Sequence, residues 1–404
     1  MSKKPQNHAS DLQGLGRLAV EATRGVTSVV EAMHTTISPV QALLLGKPEE
    51  GRAGGVTGLV YQTIRGVAGL VGTGLDAVLG ELAPLLGETA SFAEREAVVA
   101  ALNGVLGDHL AESDNPLATP MDLRRGGQRL ELRREALQAA IPAATGKLLV
   151  LVHGSSLNDL LWTRRGHDHG AALERDLGYT AVYLRYNSGL HVSTNGRALA
   201  ELLERLVAEW PVPIEELTLL AHSMGGLVCR SACHAAEAAG QRWPRELRRM
   251  VFLGTPHHGA PLERGGSWVD LLLGVSRYSA PLAKLGKIRS AGVTDLRFGS
   301  VLDEDWGGRD RFEHGEDPRT PVPLPAGVAC YAIAASTAAA EGGALPGDGL
   351  VPIDSALGRH ARPEMTLAIP EERRAVVFGT SHLDLLASPE VYEVLRGWLS
   401  SGSA

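Results

Sequence analysis

Ala221-His222-Ser223-Met224-Gly225-Gly226 sets one serine among small residues, directly after an apolar run and directly before an amphipathic one. A chain that turns from strand into helix this sharply needs small residues on both sides of the turn. Ala221 and Gly225, each two positions from the serine, supply them. Such a turn pushes the hydroxyl out at the carboxyl end of a sheet, beside a helix N-terminus. A serine hydroxyl is a weak nucleophile without a base. Two later segments offer the partners: Gly347-Asp348-Gly349 and, further on, Gly379-Thr380-Ser381-His382. Each follows a predicted strand, and the order serine, acid, histidine is the order such strand-helix nucleophiles use. Ser223 is therefore read as nucleophile, His382 as base and Asp348 as the acid that holds the imidazole tautomer and steadies its cation. His360 does not lie just past a strand, and Asp384 sits only two residues from His382. Asp303 and Asp305 fall inside an insertion.

An oxyanion formed on an attacked carbonyl needs two donors. The backbone N–H of Met224 is one. The other is expected from the loop after an earlier strand, where His153-Gly154-Ser155 offers the N–H of Ser155. His153 and His222 are read as bracing residues. The pair His257-His258 has no further ligands in suitable spacing, so no metal is expected.

These residues need a sheet to align them. Strands are expected at 147–152, 181–186, 217–221, 250–253, 328–334 and 375–378, with helices at 196–210, 224–239 and 390–399. Strands alternating with helices argue for a parallel sheet covered on both faces. Two short alternating runs, 121–125 and 128–133, flank Gly126-Gly127 and read as a hairpin. About 70 residues separate the strands ending at Leu253 and starting near Val328, far more than a usual connection. Residues of about 260–325 are read as an inserted cap or lid.

The chain divides near residue 115. Before it, apolar residues recur at helical spacing, first from Leu15 to Met33, then from Val56 to Leu85. A third helix opens at Ser91, with Glu94 completing a capping box. The second stretch carries Gly58, Gly66, Gly69, Gly72 and Gly74, each disfavouring helix by roughly 1 kcal/mol relative to Ala. It needs a partner: the following domain, a second subunit or a lipid surface. The expected organisation is a helical accessory region, 1–115, and a catalytic domain, 116–404.

Composition narrows the classes. With 44% hydrophobic and 21% charged residues the 404-residue chain is globular. A formal net charge of -7 and only 4% aromatics leave no electrostatic or stacking footprint for nucleic acid. Three cysteines, Cys229, Cys233 and Cys330, make no disulfide framework and suit a reducing compartment. The most apolar stretch, Gly54 to Leu86, is broken by Arg65, Asp76 and Glu81, so no spanning helix is expected. No signal-peptide pattern opens the chain. The expected location is cytoplasmic, with peripheral membrane contact open.

His153-Gly154, the Ala221–Gly226 turn, Leu253-Gly254-Thr255-Pro256-His257-His258-Gly259, Gly347-Asp348-Gly349 and Ser381-His382 together resemble the bacterial lipase/esterase branch of the α/β-hydrolases. The Gly-Thr-Pro-His-His-Gly run and Tyr186-Asn187-Ser188-Gly189 are similar to GPI-inositol-deacylase-like members. The resemblance spans roughly residues 117–400. It implies an α/β-hydrolase fold and cofactor-free cleavage of carboxylic esters, commonly acyl lipids, with a small-molecule or lipid ester as substrate. The same machinery also serves thioesterases and acyltransferases. A non-catalytic scaffold is the third reading; it has no need of a complete serine, aspartate and histidine set.

Overall fold

The computed structural model describes residues 10–11, 13–14, 16–18, 92–260, 290–308, 317, 319–339 and 346–400. Nearly all of the first two amino-terminal helical patterns, and most of the expected cap, lie outside these residues.

Eight strands alternate with helices along the chain. Helix α1 (Phe92–Glu112) comes first, then the hairpin β1 (Asp122–Arg125) and β2 (Gln128–Arg129), and helix α2 (Arg134–Ala140). Strand β3 (Lys147–Val152) leads to α3 (His169–Leu177), β4 (Thr180–Arg185) to α4 (Val192–Glu209), and β5 (Glu216–His222) to α5 (Met224–Ala238). After β6 (Leu247–Leu253) come the short α6 (Ala291–Asp295), β7 (Ala329–Ala335), the one-turn α7 (Ile353–Ala356), β8 (Arg374–Val377) and α8 (Pro389–Ser400). The sheet runs β2-β1-β4-β3-β5-β6-β7-β8. β1 is antiparallel to both its neighbours, and every pairing from β4 to β8 is parallel. This is the α/β-hydrolase arrangement. Helices α2 and α3, seven and nine residues long, were not apparent in the sequence, because helical periodicity needs about eleven residues or more to show.

Alternation along the strands sorts the core into two layers. Leu148, Val150, Val152, Leu219, Ala221, Met250 and Phe252 join Leu199, Leu203, Leu227 and Val228 of α4 and α5 on one side. Leu149, Leu151, Leu220, Val251, Leu253 and Ile333 join Leu173 of α3 and Leu395 and Leu399 of α8 on the other. Both strand faces are buried, which explains the nearly continuous apolar runs. Cys229, Cys233 and Cys330 are free and buried. Among the described residues no helix is long and apolar enough to cross a membrane.

Register decides what shares an edge. Val152 pairs with Ala221, His222 with Leu253, Leu253 with Ile333, and Ala335 with Val377. The loops after β3, β5, β6, β7 and β8 therefore emerge along one rim of the sheet.

Candidate active site

Ser223 stands between β5 and α5 with φ 54° and ψ -128°. This is a backbone conformation that a residue with a Cβ rarely adopts, and holding it costs on the order of 1–3 kcal/mol. The surroundings enforce it. The Ser223 N–H donates to the Leu253 carbonyl at 2.8 Å. A Cβ on Gly225 would lie 2.5 Å from the Val152 carbonyl oxygen, and one on Gly226 2.1 Å from Thr255 Oγ1. The two glycines thus let α5 seat directly against the β3 and β6 loops, and the serine is left to absorb the turn.

Asp348 and His382, on the loops after β7 and β8, are joined by a 2.7 Å hydrogen bond from His382 Nδ1 to Asp348 Oδ2. Asp348 Oδ1 accepts from the N–H groups of Leu350 (2.9 Å) and Val351 (2.7 Å). The His382 N–H donates to the Asp348 carbonyl at 2.9 Å, tying the two loops together again. Gly254 (φ 56°) makes room for the pair: a Cβ there would fall 3.0 Å from Asp348 Oδ2 and 3.2 Å from His382 Nδ1. Ser223, Asp348 and His382 are all buried. Ser223 Oγ and His382 Nε2 make no hydrogen bond to another described residue, so the hydroxyl and the imidazole are not bonded to each other in this state. Asp384 does not touch the imidazole; it accepts from Ser381 Oγ at 2.6 Å and pairs with Arg165 at 3.0 Å.

His222 donates from Nε2 to the His382 carbonyl at 2.9 Å, and burial together with the neighbouring His382 holds its pKa well below the ordinary range. It is a neutral strut between the β5 and β8 loops. His153 stacks on Tyr186 with ring centroids 4.3 Å apart, bonds the Gly154 carbonyl through Nδ1 at 2.8 Å, and is pushed down to about 4 by burial. Gly154 lies against the serine, since a Cβ on it would sit 2.8 Å from Ser223 Cβ. Ser155 is buried next to it. Met224 is the first residue of α5, so its N–H has no acceptor within the helix. His257 is buried edge-on against Phe252. No three potential metal ligands cluster among the described residues.

Sequence reasoning missed how closely α1 is fastened to these loops. The Asn158 side chain donates to the Glu96 carbonyl at 3.0 Å, and Asn187 to the Gly107 carbonyl at 2.7 Å. A Cβ on Gly104 would fall 1.9 Å from Ser156 Oγ, and one on Gly107 1.9 Å from Asn187 Oδ1. Buried Arg185 bonds both Glu96 and Asp159, and Arg95 bonds Asp11 in the 10–18 stretch. Helix α1 thus braces the β3 loop, whose Gly154-Ser155 abuts the serine. Two glycines three apart on one face of the helix, within its apolar middle, were the available signal.

Residues 126–296 match a domain family described only as a domain of unknown function (DUF7379). No protein of curated function is similar in sequence. Among solved structures, the mature form of the Bacillus licheniformis lipase BlEst2 is 17% identical, covering 70% of this chain and 100% of that one, with a TM-score of 0.42. Aspergillus fumigatus lipase B is 15% identical over 69% of this chain and 60% of its own, with a TM-score of 0.41. RedJ, a thioesterase of prodiginine biosynthesis in Streptomyces coelicolor, is 18% identical over 64% and 91%, with a TM-score of 0.36. At such distances these likenesses say nothing of this chain's activity.

Proposed function

We propose that this protein is a serine hydrolase that cleaves carboxylic esters through an acyl-enzyme on Ser223. The observation that carries the reading is the strained serine at the β5–α5 turn, on the same sheet rim as the bonded Asp348–His382 pair. Nothing in the packing of a strand-helix turn calls for a non-glycine residue at φ 54°, whereas presenting a hydroxyl does.

In the proposed reaction Ser223 Oγ attacks the ester carbonyl while His382 Nε2 takes its proton. Asp348 holds the Nδ1–H and stabilises the imidazolium. The oxyanion of the tetrahedral intermediate accepts from the N–H groups of Met224 and Ser155. His382 then gives the proton to the departing alkoxide, leaving the acyl group on Ser223. Water, activated by the same imidazole, releases the acid. Burial of the reacting atoms keeps these charges in a low-dielectric setting, where fixed donors act strongly. The resemblance of the Gly254–Gly259 run to the lipase/esterase and GPI-inositol-deacylase-like members supports acyl lipids as the proposed substrate class. Contact with a lipid surface, or with a second copy, is assigned to the apolar stripe of residues 56–85 seen in the sequence.

A fluorophosphonate probe tests the core of this reading. Wild type should be labelled on Ser223, and Ser223→Ala should be unlabelled and inactive. Ser223→Gly should also be inactive yet more stable, because glycine relieves the strain. A labelled or active Ser223→Ala protein, contamination excluded, rejects the assignment. A panel of p-nitrophenyl esters, triglycerides, phospholipids and acyl thioesters then decides the substrate class.

A further inference from the structure

A second cavity, of about 360 Å³, lies away from Ser223, between α5, the proline-rich segment 319–328 and residues 364–373. None of Ser223, Asp348 or His382 lines it. Ligand pockets commonly run from about 300 to 1,000 Å³, so this one suits a small molecule. Val301, Val322, Leu324, Met365 and Leu367 give it an apolar wall.

Arg230 of α5 also lines the cavity and is 5% exposed. Among the described residues its guanidinium makes one hydrogen bond, from Nη2 to the Val322 carbonyl at 2.9 Å, and its Nε has no partner. Among the described residues no carboxylate forms an ion pair with it. The neighbouring charges are otherwise engaged. Arg319 is occupied by Asp317 and by the His257 carbonyl. Asp305 Oδ2 accepts from the N–H groups of Val301 (2.9 Å) and Leu302 (3.0 Å), and offers Arg230 only a longer-range attraction. Arg373 is half-buried over the Tyr331 ring, and Glu364 is exposed. Burial and the nearby Arg319 bring the Arg230 pKa down to about 10, which still leaves it charged at neutral pH. A buried cation whose donors are mostly unused is costly, and an anion that completes its hydrogen bonds relieves that cost.

We propose that this cavity binds a small aliphatic carboxylate, its head on Arg230 and its chain along the Val322–Leu324 and Met365–Leu367 walls. The pairing of one free guanidinium with an apolar lining selects a singly charged amphiphile over a bare inorganic anion. The proposal is independent of the chemistry at Ser223.

Isothermal titration of the full chain with hexanoate, hexanol and inorganic phosphate tests it. Hexanoate should bind, hexanol and phosphate at least about tenfold more weakly, since each lacks one half of the interaction. Arg230→Met should lose hexanoate binding by a similar factor. Leu324→Trp, at a half-buried position that fills the cavity without touching the charge, should lose it as well, and decides the matter alone if Arg230→Met does not fold. Retained hexanoate binding in either folded variant overturns the proposal, as does equal binding of hexanol or of phosphate.

Discussion

The Asp348→Asn substitution probes the proposed acid with little change of shape. Asp348 Oδ1 accepts two backbone N–H groups, from Leu350 and Val351, while Oδ2 accepts the His382 Nδ1–H. In the asparagine variant the amide oxygen must face the two backbone donors, because an NH2 group there would set donors against donors. The NH2 group is thereby aimed at His382 Nδ1. The imidazole then has to accept at Nδ1 and carry its proton on Nε2, the nitrogen that should take the Ser223 proton. The orientation is enforced by two hydrogen bonds, so the wrong tautomer dominates. A loss of about 10³ to 10⁴ in kcat is expected, or about 4–5.5 kcal/mol of barrier. KM and the thermal midpoint should stay near wild type. The assay is steady-state hydrolysis of a p-nitrophenyl ester, with the fluorophosphonate labelling rate falling in step. Asp384→Asn is the control: its carboxylate is held by Ser381 and Arg165, and less than about a tenfold effect is expected because it supplies no charge to the imidazole. A kcat for Asp348→Asn within tenfold of wild type, or a larger loss from Asp384→Asn, refutes the reasoning.

Three further outcomes are expected. Gly254→Ala should lower stability by about 1–2 kcal/mol from its left-handed backbone alone, and should cut kcat by about tenfold or more by displacing Asp348 and His382; unchanged kcat in a folded variant would count against the packing argument. A chain shortened to begin at Asn115 should lose activity on soluble esters and vesicles alike, since it strips α1 from the 153–159 loop, whereas one beginning at Ser91 should keep soluble-ester activity and lose vesicle activity if the 56–85 stripe meets lipid. Stability should fall as pH drops from about 6.5 towards 4. His153 and His169 are both depressed to about 4 by burial, so the unfolded chain takes up protons that the native state refuses over that window. Each contributes a slope of up to about 1.4 kcal/mol per pH unit. Denaturation midpoints across pH 7.5 to 4.5 measure it, His169→Gln should flatten the curve, and a midpoint that holds level on acidification contradicts it.

The sequence by itself determined the alternating strand and helix order, the parallel sheet and the serine turn. These depend on local quantities: apolar runs of strand length, helical periodicity, and small residues where the backbone must reverse. The positions of Asp348 and His382 were legible for the same reason, each following a strand at the end where the sheet opens. Only the tertiary structure decided that the imidazole bonds Asp348 and not Asp384. That choice depends on how β7 and β8 align and on the two backbone donors that fix the carboxylate, neither of which sequence distance encodes. The tertiary structure also decided what α1 is for. Its apolar face could have met a lipid, a second chain or the sheet. Gly104 and Gly107 bring its backbone onto Ser156 and Asn187, and the Glu96–Arg185–Asp159 bonds lock it there, through contacts that reach some fifty to ninety positions along the chain from α1. A local pattern marks which face of a helix must be covered, but the partner that covers it is set by the packing of the whole chain.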